Sequence, residues 1–107
     1  MIARSMSFTA RPGGGAELAA LLHRVAESLQ GFPGCAVYLV SREREQPDRV
    51  QVFEVWQDEA SAQAALTASP ADGADTPSPG EVMALLAAPP ERVELDVLGG
   101  VGLPRPD

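Results

Sequence analysis

Residues 35–56 read CAVYLVSREREQPDRVQVFEVW. The eight residues at either end are rich in Val and aromatic side chains, the composition of β-strands. Between them EREQPD (43–48) is polar and holds a Pro and an Asp, as a hairpin connection does. Two strands so close in sequence pair antiparallel. Successive side chains of a strand point to opposite faces, so Val50, Val52, Glu54 and Trp56 share one side and Gln51, Phe53, Val55 and Gln57 the other. Both sides carry large apolar groups. A sheet with its helices on one face buries that face only. A Trp would not be spent on a side left to water, so the expected cover is a second copy of the chain.

The flanking segments complete a βαββαβ order. Ile2, Met6 and Phe8 alternate with Ala3, Ser5, Ser7 and Thr9, the period of a strand. After the turn residues ARPGGG, Leu18, Leu21, Leu22, Val25 and Leu29 draw one stripe along a helix over 15–31 that Gly31 can terminate. Asp58 is placed to cap a second helix, EASAQAALTA, whose alanines favour helix but bury little. The segment 69–80, SPADGADTPSPG, has no periodicity and is expected to be a flexible loop. EVMALLAA (81–88) predicts a short helix stopped by Pro89 and Pro90, and RVELDVL (92–98) a last strand. The reading is one α+β domain over 1–98, with a tail over 99–107 that can form no element of its own.

Composition excludes several chemistries. The 107 residues suit one domain with one core. No apolar run approaches the ~20 residues that span a bilayer. The start MIARSMSFTA lacks the pattern of a secretory signal, so a cytoplasmic location is expected. A formal charge of −7 argues against nucleic acid and anionic membranes as partners. With no Lys, a Schiff-base or P-loop lysine is ruled out, and a single His and a single Cys cannot build a two-His or Cys-rich metal site within one subunit. No metal and no cofactor are expected. Using Arg for every basic residue, with abundant Ala, Gly and Pro, points to a GC-rich bacterial genome.

The stretch FTARPGGGAELAALLHRVAESLQGFPGCAVYLVSR, followed by VFEVWQDEASAQAAL, resembles the antibiotic biosynthesis monooxygenase domain of the dimeric α/β-barrel superfamily. The resemblance rests on a first strand leading to "RPG", an amphipathic helix, "PGC" with Tyr38 opening the second strand, and Glu54 and Trp56 closing the third. It implies a ferredoxin-like subunit that pairs into a homodimer, with a mostly apolar cavity for an aromatic small molecule. It also implies cofactor-independent monooxygenation of a quinol or phenolic aromatic. Members of the family otherwise include haem degraders, small-carbonyl isomerases and proteins with no known activity.

Carried over residue by residue, Trp56 matches the family's Trp at the end of the third strand and Glu54 the acid before it. The His that often follows that Trp by nine residues is Ala65. The His, Asn and Tyr of the cofactor-free oxygenases become Ser41, Val52 and Ala62, and the axial His of the haem degraders has no counterpart.

Glu54 and Trp56 are therefore the expected catalytic pair, with Met6, Phe8, Leu39 and Val52 binding substrate. Each has a plainer alternative. Trp56 either walls a cavity or seals a subunit interface. Glu54 is either a base or the ion-pair partner of Arg4 on a neighbouring strand. Tyr38 is either core or a proton donor, and His23 pairs with Glu27 on the helix surface or acts in catalysis. Cys35 reads as a small buried residue. At the level of function, the alternatives to a monooxygenase are a non-catalytic dimeric binding protein and a small-carbonyl isomerase of the same fold.

Overall fold

The alternating segments become strands and the striped ones helices. The chain runs β1 (Ile2–Thr9), α1 (Gly15–Ser28), β2 (Cys35–Arg42), β3 (Arg49–Trp56), α2 (Glu59–Thr67), α3 (Pro79–Ala84) and β4 (Glu91–Asp96). The structure is a computed structural model that describes residues 1–67 and 79–103. The expected loop 69–80 lies outside the described residues except for Pro79 and Gly80, which open α3. Of the tail, residues 99–103 are described and hold no helix or strand.

The four strands form one antiparallel sheet in the order β2-β3-β1-β4. Phe8, Val50 and Val52 pack on one face against Leu18 and Leu22 of α1 and Val82 of α3, giving a ferredoxin-like α+β fold with the core between sheet and helices. The hairpin around 43–48 forms as expected, closed by hydrogen bonds between Glu43 and Arg49 and between Arg49 and Gln46. A register shift between Cys35 and Val37 marks a bulge in β2 at Ala36.

The start of α1 is held from a distance. Gly14, its N-cap, has no side chain to offer, and the free N–H groups of Gly13 and Gly15 donate to Oδ2 and Oδ1 of Asp48 at 3.1 and 3.0 Å. The hairpin thus caps the helix. It comes so close that a Cβ on Gly15 would stand 1.9 Å from the Pro47 carbonyl oxygen. By contrast α2 is capped locally, the Ser61 N–H donating to Oδ1 of Asp58 at 2.7 Å, and of its described side chains only Ala62 is buried. The helix expected over 81–88 ends earlier, at Ala84. There the chain leaves the helix so that Leu86 can bridge Ala10 and the Ala87 N–H can donate to the Thr9 carbonyl.

One expectation changes sides. Trp56 lies on the face that α1, α2 and α3 cover, and it is buried within a single chain, 1% exposed. It needs no second copy to shield it. The opposite face is covered only in part and carries two mostly apolar cross-strand rows: Leu39, Phe53, Ser5 and Val93, then Val37, Val55, Ala3 and Leu95, of which Val55 and Ala3 are buried. Leu39, Phe53, Val93 and Leu95 are all exposed there.

Candidate active site

The covered face carries a polar row across its middle. Strand register aligns Tyr38 of β2, Glu54 of β3, Arg4 of β1 and Glu94 of β4. The row on one side holds Val40, Val52, Met6 and, at the sheet edge, Arg92, and the row on the other holds Cys35, Trp56, Ile2 and, at the edge, Asp96. Residues directly opposite on paired strands point the same way, so all of these side chains face the helices.

Glu54 sits at the centre of this row, 8% exposed. The Trp56 indole N–H donates to its Oε1 at 2.8 Å, a bond between two residues on the same side of one strand. Phe32 meets the indole edge-on, with centroids 6.1 Å apart and planes at 85°, and so fixes the donor. The other oxygen, Oε2, accepts no hydrogen bond from the described residues. The carboxylate is therefore aimed by one oxygen and available through the other.

Arg4 does not neutralise it, although the two residues are register partners. The guanidinium turns toward β4 and α2, its Nε donating to Glu94 Oε1 at 3.2 Å and its Nη2 to Glu59 Oε1 at 3.0 Å. Arg92 also bonds Glu94 Oε1, and this bond is the main reason that the Glu94 carboxyl is held below its ordinary pKa. Arg4 is 3% exposed, so it spans from the middle of the sheet to two carboxylates at its rim.

Tyr38 is half-buried and, like Val40, packs against the core cluster. Its hydroxyl makes no hydrogen bond to the described residues. Burial first, then the Glu54 carboxylate, pushes its pKa well above the ordinary 10.0, which keeps the proton on. Burial and Glu54 push the Cys35 thiol up in the same way, the opposite of an activated nucleophile. His23 stands on the surface of α1, 3.2 Å from Glu27 and far from this row.

Met6, Phe8 and Val52 thus join Glu54 and Trp56 on the covered face. Leu39 does not, because the pleat turns it to the open face, where it is 55% exposed. Ser41 lies there too, in a row with Gln51 and Ser7. The Glu54–Trp56 bond could have been read from their i, i+2 spacing on one strand. The reach of Arg4 to Glu59 and Glu94 had no local signal.

Two open pockets lie nearby. One of about 180 Å³ borders the Arg4 cluster, between Ile2, Glu59, Glu94 and Asp96. A larger one of about 450 Å³ lies at the hairpin end, between Thr9, Pro12, Pro47 and Arg49. Neither reaches Glu54 or Trp56, and the larger holds no group suited to acid–base work that is not already bonded, since both oxygens of Asp48 cap α1. Among the described residues no three His, Cys, Asp or Glu side chains stand together as metal ligands, and no helix is long and apolar enough to cross a membrane.

Comparison with known proteins agrees with this architecture. Solved structures that match include a proposed antibiotic biosynthesis monooxygenase from Chloroflexus aurantiacus J-10-fl, 28% identical, with a TM-score of 0.76 over 97% of this chain and 100% of that one. The NE2512 protein of unknown function from Nitrosomonas europaea is 25% identical, with a TM-score of 0.75 over 98% and 95% of the two chains. Rv0793 from Mycobacterium tuberculosis, 19% identical with a TM-score of 0.76 over 94% and 97%, shares the fold. No curated protein matches. The sequence profile of the antibiotic biosynthesis monooxygenase family matches residues 1–71, and the chain belongs to that family.

Proposed function

We propose that the protein is a cofactor-independent monooxygenase of a quinol or phenolic aromatic, working as a homodimer in the cytoplasm. The observation that carries this is the Glu54 carboxylate, buried, aimed by the Trp56 N–H, and unpartnered at Oε2 among the described residues. Glu54 takes the phenolic proton of the substrate. The resulting anion is electron-rich at a ring carbon and reacts there with O₂. One oxygen atom stays on that carbon as a quinone carbonyl, and the other leaves as water with the two hydrogens that the substrate gives up. The substrate is the only reductant. Met6, Phe8 and Val52 supply apolar surface that excludes water from the anion. The ring enters beside α2, of whose described side chains only Ala62 is buried and whose Glu59 pairs with Arg4.

The homodimer is supported by the open face, where Leu39, Phe53, Val93 and Leu95 are exposed. Leu39 belongs to that interface rather than to the substrate. A second reading, a dimeric binding protein without catalysis, is favoured by one fact: Ser41, Val52 and Ala62 stand where cofactor-free oxygenases of the family carry His, Asn and Tyr. Oxygen uptake with a panel of naphthols and quinols decides between them. Consumption of one O₂ per quinone formed, without added metal or flavin, is the expected result. Saturable binding with no uptake would leave the binding protein.

A further inference from the structure

We infer that the pocket at the hairpin end of the sheet is a second binding site, one that takes a small carboxylic acid as its anion. The carboxylate meets the Arg49 guanidinium, and a short apolar body lies against Ala10, Pro12, Pro47 and Ala87. The pocket, of about 450 Å³, is lined by these four residues together with Thr9 and Arg49. It shares no residue with the site built on Glu54.

The hairpin is what places Arg49 there. Its backbone N–H donates to the Gln46 carbonyl at 2.9 Å and its carbonyl accepts from the Glu43 N–H at 3.0 Å, so the turn fixes the residue from both sides. Across the strands its register partner is Thr9. Opposed residues face the same way, and guanidinium and hydroxyl therefore rise together from one side of the sheet.

The observation that carries the inference is a guanidinium that is paired in charge but not satisfied in hydrogen bonding. Glu43 Oε2 stands 3.0 Å from Arg49 Nε and is its one ionic partner among the described residues. The Nε–H is nonetheless buried with no hydrogen bond, so the contact holds by charge and not by an aligned bond. Glu43 Oε2 is also engaged elsewhere, accepting from Gln51 Nε2 at 2.7 Å. A buried N–H left in this way is uncommon in a folded chain. The side chain as a whole is 35% exposed, so a ligand can reach it. The fork of an arginine matches a carboxylate through two parallel N–H bonds, which the Glu43 contact does not supply.

The surroundings choose the class. Asp48 also borders the pocket, with both oxygens already bonded to the N–H groups of Gly13 and Gly15. One arginine thus stands among two carboxylates, which repel a dianion such as a phosphate monoester about twice as strongly as a monoanion. The rest of the lining is Ala and Pro, which lose no side-chain freedom when a ligand settles on them. A space of this size is larger than a bare carboxylate fills, so the anion carries an apolar body.

The test uses the full chain and two probes of one shape, benzoate and benzamide, followed by ¹⁵N–¹H spectra. Benzoate should shift the amides of Thr9, Arg49 and Ala87 and the Arg49 Nε–H saturably, and bind at least about tenfold more tightly than benzamide, the value of a hydrogen bond to a charged group. Arg49→Met should bind the two alike. Glu43→Gln, which keeps an acceptor for Gln51 but removes the competing charge, should tighten benzoate by about two- to fivefold and leave benzamide unchanged. This second variant keeps the test decisive if Arg49→Met fails to fold. Equal binding of the two probes by the intact protein overturns the inference. So does the absence of shifts at millimolar benzoate, or shifts confined to Arg11 and Arg42 outside the pocket. An Arg49 that only closes the hairpin would leave benzoate binding indifferent to Glu43→Gln, and that result overturns it too.

Discussion

The indole of Trp56 and the carboxylate of Glu54 share a 2.8 Å hydrogen bond, with both groups buried on the central strand of the sheet. Each therefore depends on the other. Glu54→Gln keeps a carbonyl oxygen for the indole but cannot take a proton, so O₂ uptake should fall by about 10²–10⁴ with little change in melting temperature. Trp56→Phe removes ring area and leaves a buried carboxylate with no donor. It should cost about 2–4 kcal/mol by denaturant titration. In the double variant the two costs should not add, because Gln has no charge to strand. Full uptake by Glu54→Gln would remove Glu54 from the chemistry.

The open face predicts assembly. Equilibrium sedimentation should give twice the 11.2 kDa chain mass at low micromolar concentration. Val93→Asp, in the exposed apolar row with Leu39 and Phe53, should split that species. Since Trp56 is shielded inside one subunit, its emission should not shift to the red on dissociation. A monomer in the unmodified protein would defeat the dimer, and a red shift would mean that the partner takes part in covering Trp56.

Gly15→Ala should be among the most damaging single-methyl changes in the chain. The added Cβ meets backbone at 1.9 Å from the Pro47 oxygen and 2.7 Å from Asp48 Cα, so either α1 or the hairpin must move. A loss of about 2 kcal/mol or more is expected. Ala at Gly13, where a Cβ meets nothing within 4 Å, should cost only its positive φ of 82°. Equal melting temperatures for the two variants would contradict the close approach.

Arg4 separates packing from charge. Its partners Glu59 and Glu94 are more than half exposed and can return to water, so Arg4→Met, which keeps the buried stem, should change stability by about 1 kcal/mol or less. Arg4→Ala leaves a hole and should cost about 2–3 kcal/mol. The Glu94 carboxyl, held down chiefly by Arg92, is lowered below its ordinary 4.5. Its contribution is present above that pH and is lost as the pH falls below it toward the folded value. Melting temperature should decline in that window, and less steeply in Glu94→Gln.

Much of this was legible in short-range patterns and less of it in long-range ones. The hairpin 35–56 and the stripe of α1 fall where composition and period put them, because strand and helix periods are local facts. The pairing of Glu54 with Trp56 on one side was also there in the spacing. Which side the helices would cover was not, since both sides of β3 are apolar and the choice depends on how α1 crosses the sheet. Arg4 is opposite Glu54, as the strand order implies, yet its long side chain reaches past its register partner to residues 55 and 90 positions away. The early end of α3 has the same origin, a bridge from Leu86 to Ala10 across the whole chain.

The cap on α1 bears on the order in which the molecule is made. Its two backbone donors wait for a carboxylate 33 residues or more downstream, so the helix emerges from the ribosome with a frayed first turn. That turn closes only when the hairpin has formed and brought Asp48 to it. Closure of the helix end is thus coupled to formation of the hairpin.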